Sequence, residues 1–418
     1  MSDSEGIARW WESVQFSDHP MVEKAFAMKQ QLIQYRRHFH RYPELSFQEF
    51  ETAEQIEKHL RMLPGMKVKS GKQDTGLATG VIGEVGCEKE GPTIAIRADI
   101  DALPILEENE HEYKSLHEGI MHACGHDAHT AIGLGVAELL AAEWKQRKIK
   151  GKVRFIFQPA EENEDENGLT GSPYMIKAGV LDDVDAAMAL HMDPELPLGE
   201  VKLHEGYSMA NVDTFEAVIR GTGGHAAYPH LGTDPVWMLS VVLPALYGIR
   251  SRKVSPLDAA VLSIGEIRAG SSYNVIPSEV SIKGTMRSYD DHVREQLVQQ
   301  LDQALAVVKT IGGSYQLDVR YGEPALDNDP QVTARLEETI QALFPTFLIH
   351  RCPFGLGGED FGHMAKQVPS SMFFIGAGIP EREESGLHMP KFDIDECVLP
   401  IGAAILAHTA LTYFRGNS

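Results

Sequence analysis

The sequence predicts an α/β protein: a mostly parallel sheet flanked by helices, with an inserted two-layer α+β sandwich. Three observations predict it. Up to about residue 209, apolar runs of strand length alternate with longer helical patterns, the signature of parallel strands joined through helices. From about residue 210 the texture changes to alternating strands and long helices of antiparallel character. "SMFFIGAG" (371–378) and the apolar closing helix then resume the first texture, so the chain reads as one discontinuous domain, 1–209 with 325–418, interrupted by a second at 210–324. A chain of 418 residues exceeds the size at which a single core usually keeps growing, which also favours two domains.

Residues 21–63 read as two helices broken at Pro43, the second opened by a capping box of Ser46 and Glu49. "TIAIRAD" (93–99) reads as a buried strand, "HTAIGLGVAELLAAEW" (129–144) as a helix, and "KVRFIFQP" (152–159) as a strand stopped by Pro159. A third strand, "VDAAMAL" (184–190), ends at His191. Asp99, Asp101, Glu161, Glu162 and His191 thus fall where strands run out. In open α/β sheets the ligand crevice lies outside the carboxyl ends of the strands, so these distant residues can share one pocket. In the inserted segment, "VDTFEAVIRGTGG", "AAVLSIGEI", "SEVSIKGTMRS" and "YQLDVRYG" read as strands. "DPVWMLSVVLPALYGIR" and "DHVREQLVQQLDQALAVVKTIGG" read as helices. This is a sandwich of four strands and two helices.

Composition narrows the function classes. The formal charge of −22, from 60 acidic and 38 basic residues, is spread along the chain and argues against nucleic acid or an anionic membrane as partner. The first residues are polar and mixed in charge, and no apolar run approaches a membrane span, so the expected location is the cytoplasm. Cys87, Cys124, Cys352 and Cys397 lie far apart without a CxxC, which disfavours a disulfide framework or zinc ribbon.

"MHACGHDAHT" (121–130) sets Cys124 and His126 two apart at the mouth of a helix. A buried structural cluster, a redox thiol, a nucleophilic cysteine and a metal site all fit that pair alone. Glu161 and Glu162 in "QPAEEN" form either a solvated turn or a pair with divided work, one carboxylate on a metal and its neighbour moving a proton. His191 after a strand and His388 in "GLHMPKFDID" are individually bland. Together these residues supply one thiolate, three imidazoles and a carboxylate, enough for two divalent ions if the thiolate bridges them.

The order of "RRHFHRYPELSFQEFET", "RADIDALP", "MHACGHDAHT", "FQPAEE", "GGHAAYPHLGTDP", "YNVIPSEV", "GTMR" and "GGEDF" resembles the di-metal amidohydrolases. That family includes hippurate hydrolase, N-acyl-amino-acid hydrolases, indole-acetyl-amino-acid hydrolases and aminobenzoyl-glutamate hydrolases, a branch of the aminoacylase-carboxypeptidase metallopeptidases. The resemblance spans about residues 30–415. It implies metal-dependent cleavage of the amide bond of N-acyl amino acids, with Cys124 as the bridging ligand. Glu162 and His388 would complete one metal site, and His126 and His191 the other. It implies Glu161 as general base and acid, Asp101 as the carboxylate orienting a ligating imidazole, and His225 as an oxyanion donor crossing to a partner subunit. Arg287 and Asn274 match positions that hold the substrate carboxylate. A homodimer or higher homo-oligomer acting on a small N-acyl amino acid or dipeptide follows. The donor set suits zinc and admits manganese, cobalt or nickel.

Two stretches depart from the family pattern: the long acidic "NEDENGLTGSPYMIKAG" after the paired glutamates, and Met389 after His388 where many relatives carry Asn. Rival readings are a dipeptidase or carboxypeptidase, a cysteine-nucleophile hydrolase, and a non-catalytic metal-dependent binding module. A nucleophilic Cys124 would leave Glu162, His191 and His388 without work. A binding module would not need both Glu161 and His225.

Overall fold

In the computed structural model, residues 17–86, 91–147, 149–380, 382 and 385–414 are described. Cys87 lies outside them. From the N-terminus, α1 (Pro20–Ala27) opens with a proline in its first turn and with Nδ1 of His19 accepting the Met21 N–H at 3.1 Å. Then come α2 (Lys29–Arg41), α3 (Phe50–Arg61), β1 (Lys67–Ser70), β2 (Val81–Gly86) and β3 (Thr93–Asp99). The long helix α4 (His126–Gln146) leads to β4 (Lys152–Gln158), α5 (Gly171–Lys177), β5 (Ala186–Pro197) and β6 (Glu200–Lys202). Every residue of β3 and β4 is buried, as in a sheet covered on both faces.

A second group of elements comprises β7 (Asn211–Arg220), α6 (Pro235–Arg252), β8 (Ala260–Ala269), β9 (Glu279–Ser288), α7 (Asp291–Thr310) and β10 (Ser314–Tyr321). Its strands form one antiparallel sheet in the order β8-β9-β7-β10. Inward residues of β7, Phe215, Ala217 and Ile219, alternate with outward ones and pack with Met238, Val242 and Leu246 of α6 and Leu297, Leu301 and Leu305 of α7.

The chain closes with α8 (Pro330–Leu343), β11 (Leu348–His350), β12 (Ser370–Gly378) and α9 (Val398–Thr412). The eight-stranded sheet runs β1-β2-β4-β3-β5-β12-β6-β11. Its centre is parallel across β4, β3, β5 and β12, while β1/β2, β2/β4 and β12/β6 are antiparallel. The chain divides into two compact units: residues up to 206 with 327–354 and 363 onward, and residues 207–326 with 355–362. The architecture is thus a mixed, mostly parallel sheet with flanking helices, and a separate antiparallel sheet layered with two helices.

Two local expectations are corrected. Ser46 and Glu49 do not form a capping box: Glu49 makes no side-chain cap bond to α3, and Glu44 accepts the first-turn N–H groups of Glu51 at 3.1 Å and Thr52 at 2.8 Å. The Ser46 hydroxyl donates instead to Asp101, and Glu49 accepts the backbone N–H groups of Phe47 and Ala160. The third strand does not end at His191, because β12 pairs alongside it in register through Phe374↔His191 and Gly376↔Asp193. Backbone pairing continues past the point where apolar side chains stop, since the ladder asks nothing of side-chain polarity.

Candidate metal centre

The positions of the polar residues follow from how three segments end. Gly125, with φ 98°, turns the chain into α4; a Cβ there would sit 3.0 Å from Cβ and Cγ of Met192, so only glycine fits. This leaves Cys124 just before the helix and His126 in its first turn. At the end of β4, Pro159 is followed by Ala160 with φ 55°, a left-handed conformation that costs roughly 1–2 kcal/mol for a residue with a side chain. The Ala160 N–H is held by Oε1 of Glu49 at 2.8 Å and its carbonyl by the N–H of Gly171 at 2.7 Å. This turn presents Glu161 and Glu162. His388 is also left-handed, with φ 61°, and its N–H donates to the Ala123 carbonyl at 2.8 Å, fastening the loop after β12 beside Cys124.

These segments bring a set of ligand atoms together inside the first unit. Sγ of Cys124 lies 3.3 Å from Nε2 of His388 and 3.5 Å from Nε2 of His191. Three groups, Cys124–His126–His191, Cys124–Glu162–His388 and His126–Glu161–Glu162, each have their ligand atoms within 4.8 Å of one another. Nδ1 of His126 donates to the carbonyl of Asp101 at 3.0 Å and faces its Oδ1 at 3.2 Å. Nδ1 of His191 donates to the Met192 carbonyl at 2.8 Å. Both rings therefore use Nδ1 as a donor and turn Nε2 towards the centre, where a metal would take its lone pair in place of a proton.

The residues present fit divalent cations. Nε2 of His126 is buried without a hydrogen-bond partner, 3.7 Å from Oε1 of Glu162 and 4.0 Å from Oε2 of Glu161. Oε1 of Glu162, itself buried, lies 3.5 Å from Nε2 of His388. This concentration of carboxylates, imidazoles and a thiol in a dry site calls for positive charge among them, as protons on the imidazoles or as bound cations. Sulfur, nitrogen and oxygen donors in this mixture suit zinc and admit other first-row ions.

The same demand for positive charge shows in the titration of the site. Burial pushes the Cys124 thiol well above its usual range, and the Glu162, Glu161 and Asp99 carboxylates push it further. Burial works against a charged His126, but Asp99, Asp101 and Glu162 outweigh it and raise the imidazole to about 10. Burial and the neighbouring His129 hold His191 well below the ordinary histidine value. His388 is raised by its hydrogen bond to Glu162.

A model of the peptidase family M20/M25/M40 matches residues 95–412. The chain belongs to this family. It is 42% identical to N-acetyl-L-cysteine deacetylase of Bacillus subtilis over 394 residues, covering 93% of this chain and 90% of that protein. It is 38% identical to thermostable carboxypeptidase 1 of Saccharolobus solfataricus, covering 92% and 95% of the two chains. The crystal structure of a dinuclear metal-binding peptidase of the M20 family from Bacillus subtilis superposes with a TM-score of 0.79 at 33% identity, over 93% of this chain and 99% of that one. Membership of the M20/M25/M40 peptidases makes the chain a hydrolase.

Not every histidine of "MHACGHDAHT" joins the centre of this M20/M25/M40 peptidase. His129 has both ring nitrogens in use: Nδ1 donates to Oδ1 of Asp99 at 2.6 Å, and Nε2 accepts the Met192 N–H at 2.9 Å. It ties α4 to the strand carrying His191. His122 is buried beside Asp127, His40 and His126, and burial lowers it to about 4. Asp99 faces Nε2 of His126 at 3.7 Å while its other contacts go to His129 and Arg97.

In the second unit, His225 is exposed, and its Nδ1 accepts the Ala227 N–H at 3.0 Å. The short ribbon pairing Gly224–His225 with Val275–Ile276 brings Asn274 beside it, with the Asn274 carbonyl accepting the Ala226 N–H at 3.1 Å. Arg287 sits on β9 opposite Val212 and Val261. Its half-buried guanidinium donates to the Met286 carbonyl at 3.0 Å, and burial lowers its pKa.

Ser46 and Glu49, which the motif reading assigns to a helix cap, belong to the surroundings of this centre. So does Thr79, whose hydroxyl donates to Oε2 of Glu49 at 2.8 Å. Burial and the nearby Asp101 raise Glu49 to about 8. The placing of the Ser46–Glu49 pair beside "RADID" and "PAEE" appears only once the fold is known.

Proposed function

We propose that this M20/M25/M40 peptidase is a metal-dependent amidohydrolase that cleaves N-acyl amino acids at a two-metal centre. One observation carries the reading: the ligand atoms of Cys124, His126, Glu162, His191 and His388 converge in one largely buried cluster, a mixture of sulfur, nitrogen and oxygen donors suited to divalent ions. Cys124, Glu162 and His388 would hold one ion, and Cys124, His126 and His191 the other. Zinc is the first choice for this donor set, with manganese, cobalt or nickel next. Bound divalent ions supply Lewis acidity, lowering the pKa of a water and polarising the amide carbonyl.

The chain's own groups do the rest. Glu161, next to the ligand Glu162 in the same turn and with a carboxylate oxygen 4.0 Å from Nε2 of His126, takes the proton of the attacking water. It returns that proton to the leaving amine. Asp101 orients His126 by holding its Nδ1–H, which fixes tautomer and ring angle. His225 donates to the oxyanion of a neighbouring subunit's substrate, and Arg287 with Asn274 binds the substrate carboxylate. The working form is then a cytoplasmic homodimer or higher homo-oligomer. Among the described residues no helix is long and apolar enough to cross a membrane.

Similarity to N-acetyl-L-cysteine deacetylase supports the N-acyl amino acid reading, and similarity to thermostable carboxypeptidase 1 supports peptides as a second substrate class. A nucleophilic Cys124 is disfavoured because it would leave Glu162, His191 and His388, gathered around the thiol, without work. The deciding experiment strips the protein of metal and reconstitutes it with zinc, manganese, cobalt or nickel. Released amine is then measured from a panel of N-acyl amino acids and dipeptides. Amine release from N-acyl amino acids that depends on added metal is the expected result, and no release from any N-acyl substrate with any ion overturns the reading.

A further inference from the structure

We propose that Ser46 and Glu49 are positioning residues for the turn that carries the proton-transfer group: Glu49 clamps Ala160, Ser46 clamps Asp101, and together they set where Glu161 and Glu162 point. The proposal rests on the reading of Glu161 and Glu162 given above.

Glu49 is fully buried, and its described hydrogen bonds do not serve α3 as a cap. Oε1 accepts the N–H of Phe47 at 3.0 Å and of Ala160 at 2.8 Å, and Oε2 accepts the Thr79 hydroxyl at 2.8 Å. Stability alone gives a weak reason for this arrangement, because an apolar side chain of similar volume would fill the space without the desolvation of a carboxyl group. What an apolar side chain would not supply is an acceptor for the Ala160 N–H.

Ala160 is where that acceptor matters. Its left-handed backbone, φ 55°, is unfavourable for a residue with a Cβ and persists only if its surroundings impose it. The clamp has two jaws: Glu49 on the N–H, and the Gly171 N–H on the carbonyl at 2.7 Å. Gly171 must be glycine for the second jaw to close, since a Cβ there would meet the Pro159 carbonyl oxygen at 1.8 Å. Loss of the Glu49 jaw frees the Ala160 peptide to rotate, and the next side chain along is Glu161.

Ser46 holds the far side of the same turn. Its hydroxyl, buried at 7% exposure, donates to Oδ2 of Asp101 at 2.6 Å. That oxygen also accepts the Glu162 N–H at 3.0 Å, while Oδ1 faces Nδ1 of His126 at 3.2 Å. One carboxylate thus links the backbone of one ligand to the ring of another, and Ser46 fixes its rotation. A single loop, residues 46–49, therefore grips the turn at Ala160 directly and at Glu162 through Asp101.

The test compares Glu49→Ala, Glu49→Gln and Ser46→Ala with wild type and with Glu161→Gln, measuring kcat, KM, bound metal per chain and thermal midpoint for each. The two alanine variants are expected to lose about tenfold or more in kcat, because misplacing a catalytic group by about 1 Å can cost up to about a hundredfold. KM should stay near wild type, and bound metal, which Glu162 and His126 help hold, should fall by much less than kcat. Glu49→Gln should recover most of kcat, since its amide oxygen can accept both N–H groups and its NH2 can donate to Oγ1 of Thr79. Ser46→Ala, which removes a single oxygen, keeps the test decisive if Glu49→Ala does not accumulate as folded protein. Wild-type kcat in a folded, metal-loaded alanine variant overturns the proposal. So does glutamine as damaging as alanine, or a kcat that falls only in step with lost metal. Glu161→Gln separates the two levels. If it is inactive while both alanine variants are unimpaired, only the positioning role fails; if it turns over normally, the proton-transfer reading falls and takes this proposal with it.

Discussion

Sγ of Cys124 and Nε2 of His388, 264 positions apart in the chain, lie 3.3 Å from each other, with Nε2 of His191 on the thiol's other contact at 3.5 Å. If Cys124 is the ligand shared by two ions, as proposed, Cys124→Ala should lose metal and activity together. Chelation should inactivate the wild type and divalent ions should restore it. Full turnover in a metal-free preparation would show that Cys124 is no bridge.

Glu161 and Glu162 should respond differently to the same substitution. Glu161→Gln is expected to keep near-normal metal occupancy while losing on the order of a hundredfold or more in kcat, the usual scale for removing a general base. Glu162→Gln should lose metal. Exchanged phenotypes would mean that the two roles are reversed, which metal analysis alongside kinetics would reveal.

His40 supplies a pH signature away from the ligands. Burial disfavours its charge, but Oδ2 of Asp127 at 2.8 Å and Oε1 of Glu107 at 3.2 Å outweigh this and raise the imidazole to about 9. A folded-state value above the ordinary 6.5 contributes stability that is fully present below pH 6.5 and is lost as pH rises through about 9. His40→Gln should therefore destabilise the protein most at low pH, by about 3 kcal/mol or more, as for a broken buried ion pair. The gap to wild type should narrow above pH 9 in denaturant titrations; an equal gap at all pH values would mean that His40 is not charged in the fold.

Arg287 carries the expectation about the substrate carboxylate. Arg287→Ala should raise KM for free-acid substrates and shrink their advantage over the matching amides by about tenfold, the scale of one lost charge-assisted hydrogen bond. An unchanged acid-to-amide ratio would remove Arg287 from the site.

His225 belongs to the second unit, whereas Cys124, His126, Glu162, His191 and His388 all belong to the first. If His225 serves a neighbouring subunit, His225→Ala and Glu161→Ala homo-oligomers should each be nearly inactive. Mixing and re-associating them should then restore activity through hybrid sites. Mixtures that never recover, or a fully active monomer, would show that His225 does not act across subunits.

The buried strands 93–99 and 152–158 were legible in the sequence because each depends on neighbours within a few residues, and the α/β class followed from their alternation with helices; the joining of "MHACGHDAHT" with "PAEE" in one site was implied by the family resemblance. A run such as "TIAIRAD" has few alternatives to a doubly covered strand, and a glycine followed by a helical pattern marks where His126 must sit. The tertiary structure decided what those residues face. Ser46 and Glu49 show the limit: three positions apart before a helix, they match a capping box, yet Ser46 turns to Asp101, 55 positions away, and Glu49 to Ala160, 111 positions away. His129, in the same short run as His126, is bonded on both nitrogens, to Asp99 and Met192. Local pattern reports which hydrogen bonds a side chain can reach along its own segment; once folding places a buried acceptor or an orphaned N–H from elsewhere within 3 Å, the cost of leaving that group unpaired in a dry interior determines which bond forms.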